Sequence, residues 1–255
     1  MYDGRVHFLP KTVRSELLYD GTAVVIDVLR ATTTICHALA AGARDVRPCP
    51  NLEVTQAVVE SLDRKQIVLG GERRGEKLRG FDLGNSPAEY TADRVAGKII
   101  VFTTTNGTRA IERCDSAKQI VLASFVNRAA VCRWLADRPS PLDIVCAGTN
   151  GKFTREDVLA AGAIVDGLTA LSDRPRWVWN DEALVAHDAW RGVWCGEQQV
   201  ESLVDALRHS LGGANLIELG YDADIEAAAR VDSLEVVPRA GNVSIFVDAN
   251  KRATS

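Results

Sequence analysis

Residues 23–42 read AVVIDVLRATTTICHALAAG, and they contain a pattern that recurs along the chain. A short apolar run at 23–28 is followed by a turn rich in hydroxyl groups and then by a helical pattern that ends near Gly42. The run is β-branched and apolar on both faces, which is typical of a parallel strand covered by helices. This stretch predicts one strand–turn–helix unit of an α/β fold.

The same alternation extends over nearly the whole chain. Further strands are predicted at 6–9, 67–69, 99–102, 119–123, 143–147, 234–237 and 243–247, whereas residues 180–230 are mainly helical, with helices at 182–190, 199–207 and 224–229. No linker rich in Pro, Gly or Ser divides the chain. We therefore predict one domain over 1–255: a three-layer α/β/α fold with a mainly parallel or mixed sheet, in which 180–230 form a helical insertion or C-terminal subdomain.

Several helix starts have recognisable caps. Ser86-Pro87-Ala88-Glu89 has the pattern of a capping box with proline at the first helical position. Asn51 and Asn127 are predicted to cap the helices that follow them. Thr154 precedes Glu156 and Asp157, which places two acids at the positive end of a helix that runs toward Leu171.

Composition and charge exclude several classes of protein. The 255 residues are 46% hydrophobic and 25% charged, which is ordinary for a globular protein. The formal net charge of −4 provides no global positive field that would hold a nucleic acid or an anionic membrane. An anionic ligand must therefore be bound by a local cluster of cations and amides.

The chain also lacks the usual export and membrane signals. Residues 1–14 have no basic start followed by an apolar stretch, and no apolar run reaches the roughly 18 residues of a membrane span. The six cysteines are dispersed without a CxxC pair, so reduced thiols are expected. These features predict a cytoplasmic protein.

Three turns at predicted strand ends share a phosphate-binding composition. They lie at 27–34, 103–109 and 147–152, and each combines hydroxyl groups and helix-start amides with one cation: Arg30, Arg109 or Lys152. Because parallel strands end at one edge of a sheet, we expect the turns to meet there. Plain capped βα turns are the alternative. The residues predicted to bind phosphate or substrate are Thr32, Arg73, Thr105, Asn106, Gly107, Thr149, Asn150 and Gly151.

Acidic residues at the same edge point to a metal site. Asp27 ends the strand at 23–28, and the long glycine-rich loop 70–87 contains Glu72 and Asp82. Mg²⁺ prefers one or two carboxylates together with water and substrate phosphate. Asp27, Glu72 and Asp82 are therefore candidate Mg²⁺ ligands, and the alternative is that they form salt bridges with arginines of the same loops.

Other phosphatase chemistries fit the sequence less well. Cys146 stands at a predicted strand end before a glycine loop, where a helix start favours a thiolate, although a core position is the commoner role. Cys132 and Arg138 have the spacing of cysteine phosphatases, but the residues between them are helical and lack glycine. His187-Asp188 is a possible acid/base pair. No Walker loop, GxSxG, HExxH or GxGxxG motif is present.

Six stretches together resemble the 2-phosphosulfolactate phosphatase family of coenzyme M biosynthesis. They are IDVLRATTTI (26–35), GGERRGEKLRGFDLGNSPAEY (70–90), FTTTNGTRAI (102–111), ASFVNRAAV (123–131), CAGTNGKFTREDVLAAGAIV (146–165) and YDADIEAAARVDSLEVVPR (221–239). The resemblance implies a Mg²⁺-dependent phosphatase that releases phosphate from 2-phospho-3-sulfolactate and leaves 3-sulfolactate. It also implies an α/β fold distinct from the common phosphatase folds.

These observations lead to one functional prediction with open alternatives. The predicted substrate is small and strongly anionic, with Asp27, Arg30, Arg109 and Lys152 as the catalytic set. Attack by water oriented by a carboxylate is preferred, followed by an aspartyl-phosphate on Asp27 and then a phosphocysteine on Cys146. Another phosphorylated hydroxy acid or a non-catalytic metabolite-binding role stays open. A crowded tryptophan region could be a homo-oligomer contact or a local core: Trp177, Trp179, Trp190 and Trp194.

Overall fold

The computed structural model describes residues 1–171, 176–240 and 245–250. Its strands are β1 (Tyr2–His7), β2 (Thr22–Ile26), β3 (Asp45–Pro48), β4 (Ile67–Arg73), β5 (Glu76–Lys77), β6 (Ile99–Thr103), β7 (Gln119–Ala123), β8 (Leu142–Cys146), β9 (Trp177–Trp179), β10 (Pro238–Ala240) and β11 (Val247–Asp248). Its α-helices are α1 (Ala31–Ala40), α2 (Leu52–Glu60), α3 (Ala92–Val95), α4 (Gly107–Arg113), α5 (Arg128–Asp137), α6 (Arg155–Ala170), α7 (Asp181–Val193), α8 (Gln199–Arg208), α9 (Leu211–Glu218) and α10 (Asp222–Ala228).

The strands form two sheets. The larger has seven strands in the order β11-β10-β7-β2-β8-β1-β9, and the smaller has four in the order β3-β6-β4-β5. In the larger sheet β2 is parallel to β7 and β8, whereas β10 runs antiparallel to β7. In the smaller sheet β6 is parallel to β3 and β4. The predicted three-layer α/β fold is therefore confirmed, with mixed sheets.

Alternation along β2 explains the layers. Val24 and Ile26 pack into a core with α5, α6 and α7, while Ala23 and Val25 pack into a second core with α1, α4 and the smaller sheet. Successive side chains of a strand point to opposite faces, so the apolar run 23–26 supplies both cores. This double burial is the physical reason why the sequence 23–26 has no polar face.

Several predicted boundaries differ from the observed ones. The predicted strand at 234–237 has no regular secondary structure, and the neighbouring strand is β10. The prediction at 243–247 falls partly on residues outside the described ranges, and β11 begins at Val247. The strands β3 and β9 and the helix α9 were not predicted. α9 has the sequence LGGANLIE, and its two glycines give it weak intrinsic helix propensity.

A predicted capping residue explains the start of α2, whereas the capping box predicted at Ser86 is not formed. Asn51 caps α2 because its side chain accepts a hydrogen bond from the Val54 amide at 2.9 Å. The predicted capping box at Ser86 is wrong. Only a short 3₁₀ turn, Pro87–Glu89, follows it, because the Ser86 hydroxyl donates instead to Asp224 at 2.6 Å. A tertiary contact thus replaces the local cap.

The crowded tryptophans form part of the core of one chain. Trp190 is fully buried between Phe125 and Trp194, with ring centroids at 5.6 Å and 4.9 Å. Trp177 and Trp179 pack against each other. All six cysteines are free thiols. Within the described ranges, no helix combines the length and apolar character that a membrane crossing needs.

Candidate active site

Four strands of the two sheets end at one cavity of about 460 Å³. The turns after β2, β6 and β8, together with the end of β4, provide much of its lining, since parallel strands direct their carboxyl ends to the same side. The helix α9 closes another side. The lining residues are Asp27, Leu29, Arg30, Glu72, Arg74, Gly75, Asn85, Thr104, Thr105, Asn106, Thr149, Asn150, Gly212, Asn215, Leu216, Glu218 and Leu219.

Asp27 follows β2 and is held by the first turn of α1. Its Oδ1 accepts from the Ala31 amide at 3.3 Å, and its backbone N–H and C=O are both engaged by the Thr32 hydroxyl at 3.1 and 2.9 Å. Thr32 is fully buried and does not line the cavity, so it positions Asp27 rather than contacting a ligand. Asp27 itself is only 8% exposed.

Burial raises the pKa of Asp27 to about 7. The hydrogen bond from Ala31 opposes this rise in pKa, whereas the negative charges of Glu72 and Glu156 add to it. Two carboxylates that influence each other in a buried region favour the approach of a cation or of a proton. Asp27 therefore has the character expected of a catalytic or metal-binding carboxyl group.

Asp157 joins the turns after β2 and β8. Its two oxygens accept from the amides of Val28 and Gly148, both at 2.9 Å. Burial raises its pKa well above the ordinary value, and the charges of Glu156 and Asp27 act in the same direction. The sequence indicated Glu156 and Asp157 only as helix-start acids, but the structure shows that Asp157 fixes the spacing of two cavity turns.

Glu72 connects the hairpin between β4 and β5 to the turn after β6, at the cavity. Its Oε1 accepts from the Thr105 amide and its Oε2 from the Gly75 amide, both at 2.7 Å. The residue is 6% exposed and lines the cavity. A buried carboxylate with two amide donors is fixed in place, and its remaining lone pairs are available to a ligand.

Arg30 is fixed by a buried ion pair. One terminal nitrogen donates to Asp224 Oδ2 at 2.7 Å and the other to the Gly75 carbonyl at 2.8 Å. The guanidinium carbon lies 4.2 Å from the centroid of the Tyr221 ring. Ser86 donates to the other oxygen of Asp224. Arg30 thus enters the cavity lining with its position determined on several sides, while other N–H groups of the guanidinium stay available.

The two Asn-Gly turns meet at the cavity. The Asn150 amide donates to Asn106 Oδ1 at 3.3 Å, and Asn150 has a left-handed φ of 53°. Nearby, two buried polar atoms of lining residues, Asn85 Oδ1 and Thr105 Oγ1, have no hydrogen-bond partner among the described residues. Unpaired buried polar atoms at a cavity wall are available for a bound ligand.

The structure does not bring every predicted residue to the cavity. Arg109 on α4 and Lys152 are exposed and outside the lining, as is Gly151. Asp82 accepts from Arg64 and from the Leu69 amide on the outer surface. Arg73 binds the Glu72 carbonyl and the Thr103 hydroxyl instead. Gly107 lies against Asp27 without lining the cavity.

The predicted residues that do converge are Asp27, Arg30, Glu72, Thr105, Asn106, Thr149 and Asn150. Sequence reasoning missed Arg74, Asn85, the α9 residues and the supporting Asp224. Arg74 and Asn85 lie in the glycine-rich loop that the sequence marked as functional, and Asp224 lies in the stretch 221–239. Nothing in the sequence 211–218 indicated either a helix or a contribution to the site.

The alternative nucleophiles are not at this site. Cys146 is fully buried, and burial raises its pKa well above the ordinary value, so its thiol stays protonated and lies outside the cavity lining. The Cys132 thiol donates to the Ile164 carbonyl between α5 and α6. His187 contacts Asp166 at 3.2 Å and Asp188 at 3.9 Å, also outside the cavity. A phosphocysteine route through Cys146 is therefore inconsistent with this geometry.

The donor set at the cavity fits a magnesium ion. Asp27 and Glu72 present hard carboxylate oxygens, and a divalent cation would neutralise the charge of Glu72, which adds to the effect of burial in raising the pKa of Asp27. In the described part of the chain no three His, Cys, Asp or Glu side chains form a ready-made metal cluster. Mg²⁺ is usually bound through one or two carboxylates plus water and phosphate.

Fold and cavity together define an α/β protein with a ligand site at the carboxyl ends of its parallel strands. A family model described as 2-phosphosulpholactate phosphatase matches residues 7–242. A protein of Symbiobacterium thermophilum named probable 2-phosphosulfolactate phosphatase is 43% identical over 224 residues, which cover 88% of this chain and 93% of the relative.

Two other relatives have the same name. The Thermotoga maritima protein is 43% identical over 228 residues, covering 89% of this chain and 91% of its own. The protein of Caldanaerobacter subterraneus subsp. tengcongensis is 38% identical over 225 residues, covering 88% and 90%. The chain belongs to the 2-phosphosulfolactate phosphatase family. It is an enzyme, a phosphatase that hydrolyses phosphoric monoesters.

Proposed function

We propose that the protein is a Mg²⁺-dependent phosphatase that converts 2-phospho-3-sulfolactate and water to 3-sulfolactate and inorganic phosphate. The observation that carries this proposal is the convergence of Asp27, Glu72 and Arg30 on one polar cavity of about 460 Å³. That volume lies within the roughly 300–1,000 Å³ of small-molecule sites. The names of the relatives support the choice of substrate.

The charge balance of the cavity supports a metal requirement. The substrate has phosphate, carboxylate and sulfonate groups, yet among the described residues the lining contains the acids Asp27, Glu72 and Glu218 against two cations, Arg30 and Arg74. Such a cavity attracts a polyanion only with added positive charge. Asp27 and Glu72 would hold Mg²⁺, which supplies positive charge beside the phosphoryl oxygens when bound.

The residues of the cavity then have distinct tasks. Asp27 orients a water molecule whose oxygen attacks phosphorus, while the bond from phosphorus to the C2 oxygen breaks. The attacking water loses a proton to solvent, and the departing C2 oxygen gains one from solvent, so that an alcohol and phosphate result. The free N–H groups of Arg30 and the Thr105 hydroxyl stabilise negative charge on the phosphoryl oxygens.

A covalent route through Asp27 makes a different observable prediction. An aspartyl-phosphate would accumulate or turn over on the protein itself, whereas direct water attack leaves the protein unmodified. Mass spectrometry of enzyme quenched in acid during turnover distinguishes the two routes. We expect unmodified protein, and a phosphorylated peptide that contains Asp27 would establish the covalent route.

The central test is phosphate release from 2-phospho-3-sulfolactate with Mg²⁺, after EDTA treatment and after Mg²⁺ is restored. We expect EDTA to abolish turnover and Mg²⁺ to restore it. The Asp27→Asn variant should lose about 10²- to 10⁴-fold in kcat. Asp188→Asn is the matched control, since the Asp188 side chain is 87% exposed on α7. Undiminished turnover in EDTA would reject the metal, and better turnover of another phosphorylated hydroxy acid would reject the substrate.

A further inference from the structure

Arg74 lines the cavity at the tip of the hairpin between β4 and β5. We propose that Arg74 binds the sulfonate of the substrate and is the residue by which the site distinguishes sulfonated from unsulfonated phosphate esters. This specificity role rests on the function proposed above, because it assumes that a phosphate ester with a second anionic group occupies the cavity.

The backbone of the hairpin tip is held in one position. Glu72 pairs with Lys77 and Arg73 with Glu76, so Arg74 and Gly75 form a two-residue turn with φ of 55° and 85°. The Gly75 amide donates to Glu72 Oε2, and the Gly75 carbonyl accepts from Arg30. A left-handed arginine is uncommon, and such backbone conformations concentrate at ligand sites.

Packing against α9 completes this fixation. A Cβ placed on Gly75 would lie 2.3 Å from Leu219 Cδ1, so the hairpin tip is in close contact with the end of that helix. Both Gly75 and Leu219 line the cavity. The side chain of Arg74 therefore extends from a hairpin tip whose backbone contacts Glu72, Arg30 and α9. Because this backbone is already fixed, the entropic cost of binding a ligand is lower.

Of the two cations among the described lining residues, Arg74 is the one that forms no ion pair with a described carboxylate. Among the described residues that line the cavity, the cations are Arg30 and Arg74. Arg30 is paired with Asp224 at 2.7 Å, whereas no described carboxylate forms a salt bridge with the exposed Arg74. A guanidinium without a protein partner at a cavity is free to pair with an oxyanion of the ligand.

The chemistry of the substrate selects its sulfonate as that oxyanion. The phosphate oxygen and the carboxylate are attached to the same carbon, C2, so both stay near the reacting group. The sulfonate is attached one carbon further out and reaches furthest from phosphorus. Asp27 is buried and Arg74 is exposed, so a substrate with its phosphate at Asp27 extends its sulfonate toward Arg74.

The test compares two substrates with three variants. Arg74→Asn removes the charge while suiting a left-handed backbone, Arg74→Lys restores a charge, and Arg79→Asn is the control because Arg79 is an exposed arginine of the same loop outside the cavity. The substrates are 2-phospho-3-sulfolactate and 2-phospholactate, which has the same ester and carboxylate but no sulfonate. Steady-state kcat and KM are measured for the wild type and each variant with each substrate, and thermal unfolding verifies that the variants are folded.

We expect Arg74→Asn to raise KM for the sulfonated ester about 10- to 100-fold with little change in kcat, and to leave KM for 2-phospholactate nearly unchanged. Arg74→Lys should recover part of the loss, and Arg79→Asn should match the wild type. An equal effect on both substrates, or no effect on either, would overturn the role of Arg74 while leaving the proposed function intact. Failure of the wild type to hydrolyse the sulfonated ester would instead overturn the proposed function.

Discussion

The absence of a side chain at Gly107 leaves the space that Asp27 occupies. A Cβ at residue 107 would lie 2.7 Å from Asp27 Oδ2 and 2.6 Å from the Ala31 Cβ. Both distances are shorter than real Cβ contacts, so one of these groups would have to move. The Asn-Gly sequence that first reads as an ordinary turn therefore has a steric function beside the Asp27 carboxylate.

Replacement of Gly107 tests this steric function. Gly107→Ala should displace the Asp27 carboxylate, lower kcat/KM at least tenfold and cost about 1–3 kcal/mol of unfolding free energy through overpacking. Activity assays and urea unfolding measure the two effects. Gly192→Ala is the control, since a Cβ on this α7 glycine meets no atom within 4 Å. A Gly107→Ala enzyme with wild-type kcat/KM would show that Asp27 tolerates displacement.

At the level of elements, sequence periodicity located most of the strands that build the larger sheet. Doubly apolar runs such as 23–28 and 119–123 are visible because burial on both faces leaves no polar position. β3 was not visible, because its sequence DVRP has two charged residues and a proline. It forms through pairing with β6, a contact that local sequence does not encode.

The residues of the candidate site likewise divide into those that the local sequence predicts and those that it does not. Asp27, Glu72 and Arg30 were predictable, because acids and cations beside glycine or hydroxyl turns at strand ends have few structural roles. Arg109 and Lys152 have the same local pattern, but the register of α4 directs Arg109 to solvent, and Lys152 is exposed in the turn before α6. The contribution of α9 depends on how the chain folds back across the cavity, and no local pattern predicts that.

The contribution to stability of the contact between α10 and the turn after β2 can be tested. Asp224 binds both Arg30 and Ser86 in a buried position. Asp224→Asn removes the ion pair, leaves a buried guanidinium uncompensated and should cost about 3–5 kcal/mol together with a large loss of kcat/KM. Ser86→Ala should cost less, about 1.5–3 kcal/mol, since it removes one hydrogen bond to the charged carboxylate and leaves the ion pair in place. Equal stability of Asp224→Asn and the wild type in urea would refute this account.

For the whole molecule, the stability of the fold at low pH depends on a contact between the neighbouring strands β1 and β8. Asp143 on β8 contacts Arg5 and His7 of β1, each at 2.8 Å. Burial opposes ionisation of Asp143, but hydrogen bonds from His7 and Arg5 prevail and lower its pKa. A carboxyl group with a lowered folded-state pKa contributes stability above its ordinary pKa of about 3.9 and loses it as the pH falls through the lowered value.

We therefore expect Asp143→Asn to be less stable than the wild type at neutral pH, by about 2–4 kcal/mol, and the difference to shrink as the pH falls below about 4. Urea unfolding at a series of pH values measures this difference. Asp3→Asn is the control, because Asp3 also contacts Arg5 but its side chain is 75% exposed. A difference that stays constant down to pH 2 would contradict the linkage.

The contact between Arg30 and Asp224 spans 194 positions of the chain. Asp27 and Glu72 leave the ribosome early, but the wall provided by α9 and the carboxylate that compensates Arg30 are translated much later. Until then a nascent chain contains an uncompensated guanidinium and an open groove. Catalytic competence is consequently acquired late in translation, and products of premature termination before residue 211 would be inert toward cellular phosphate esters.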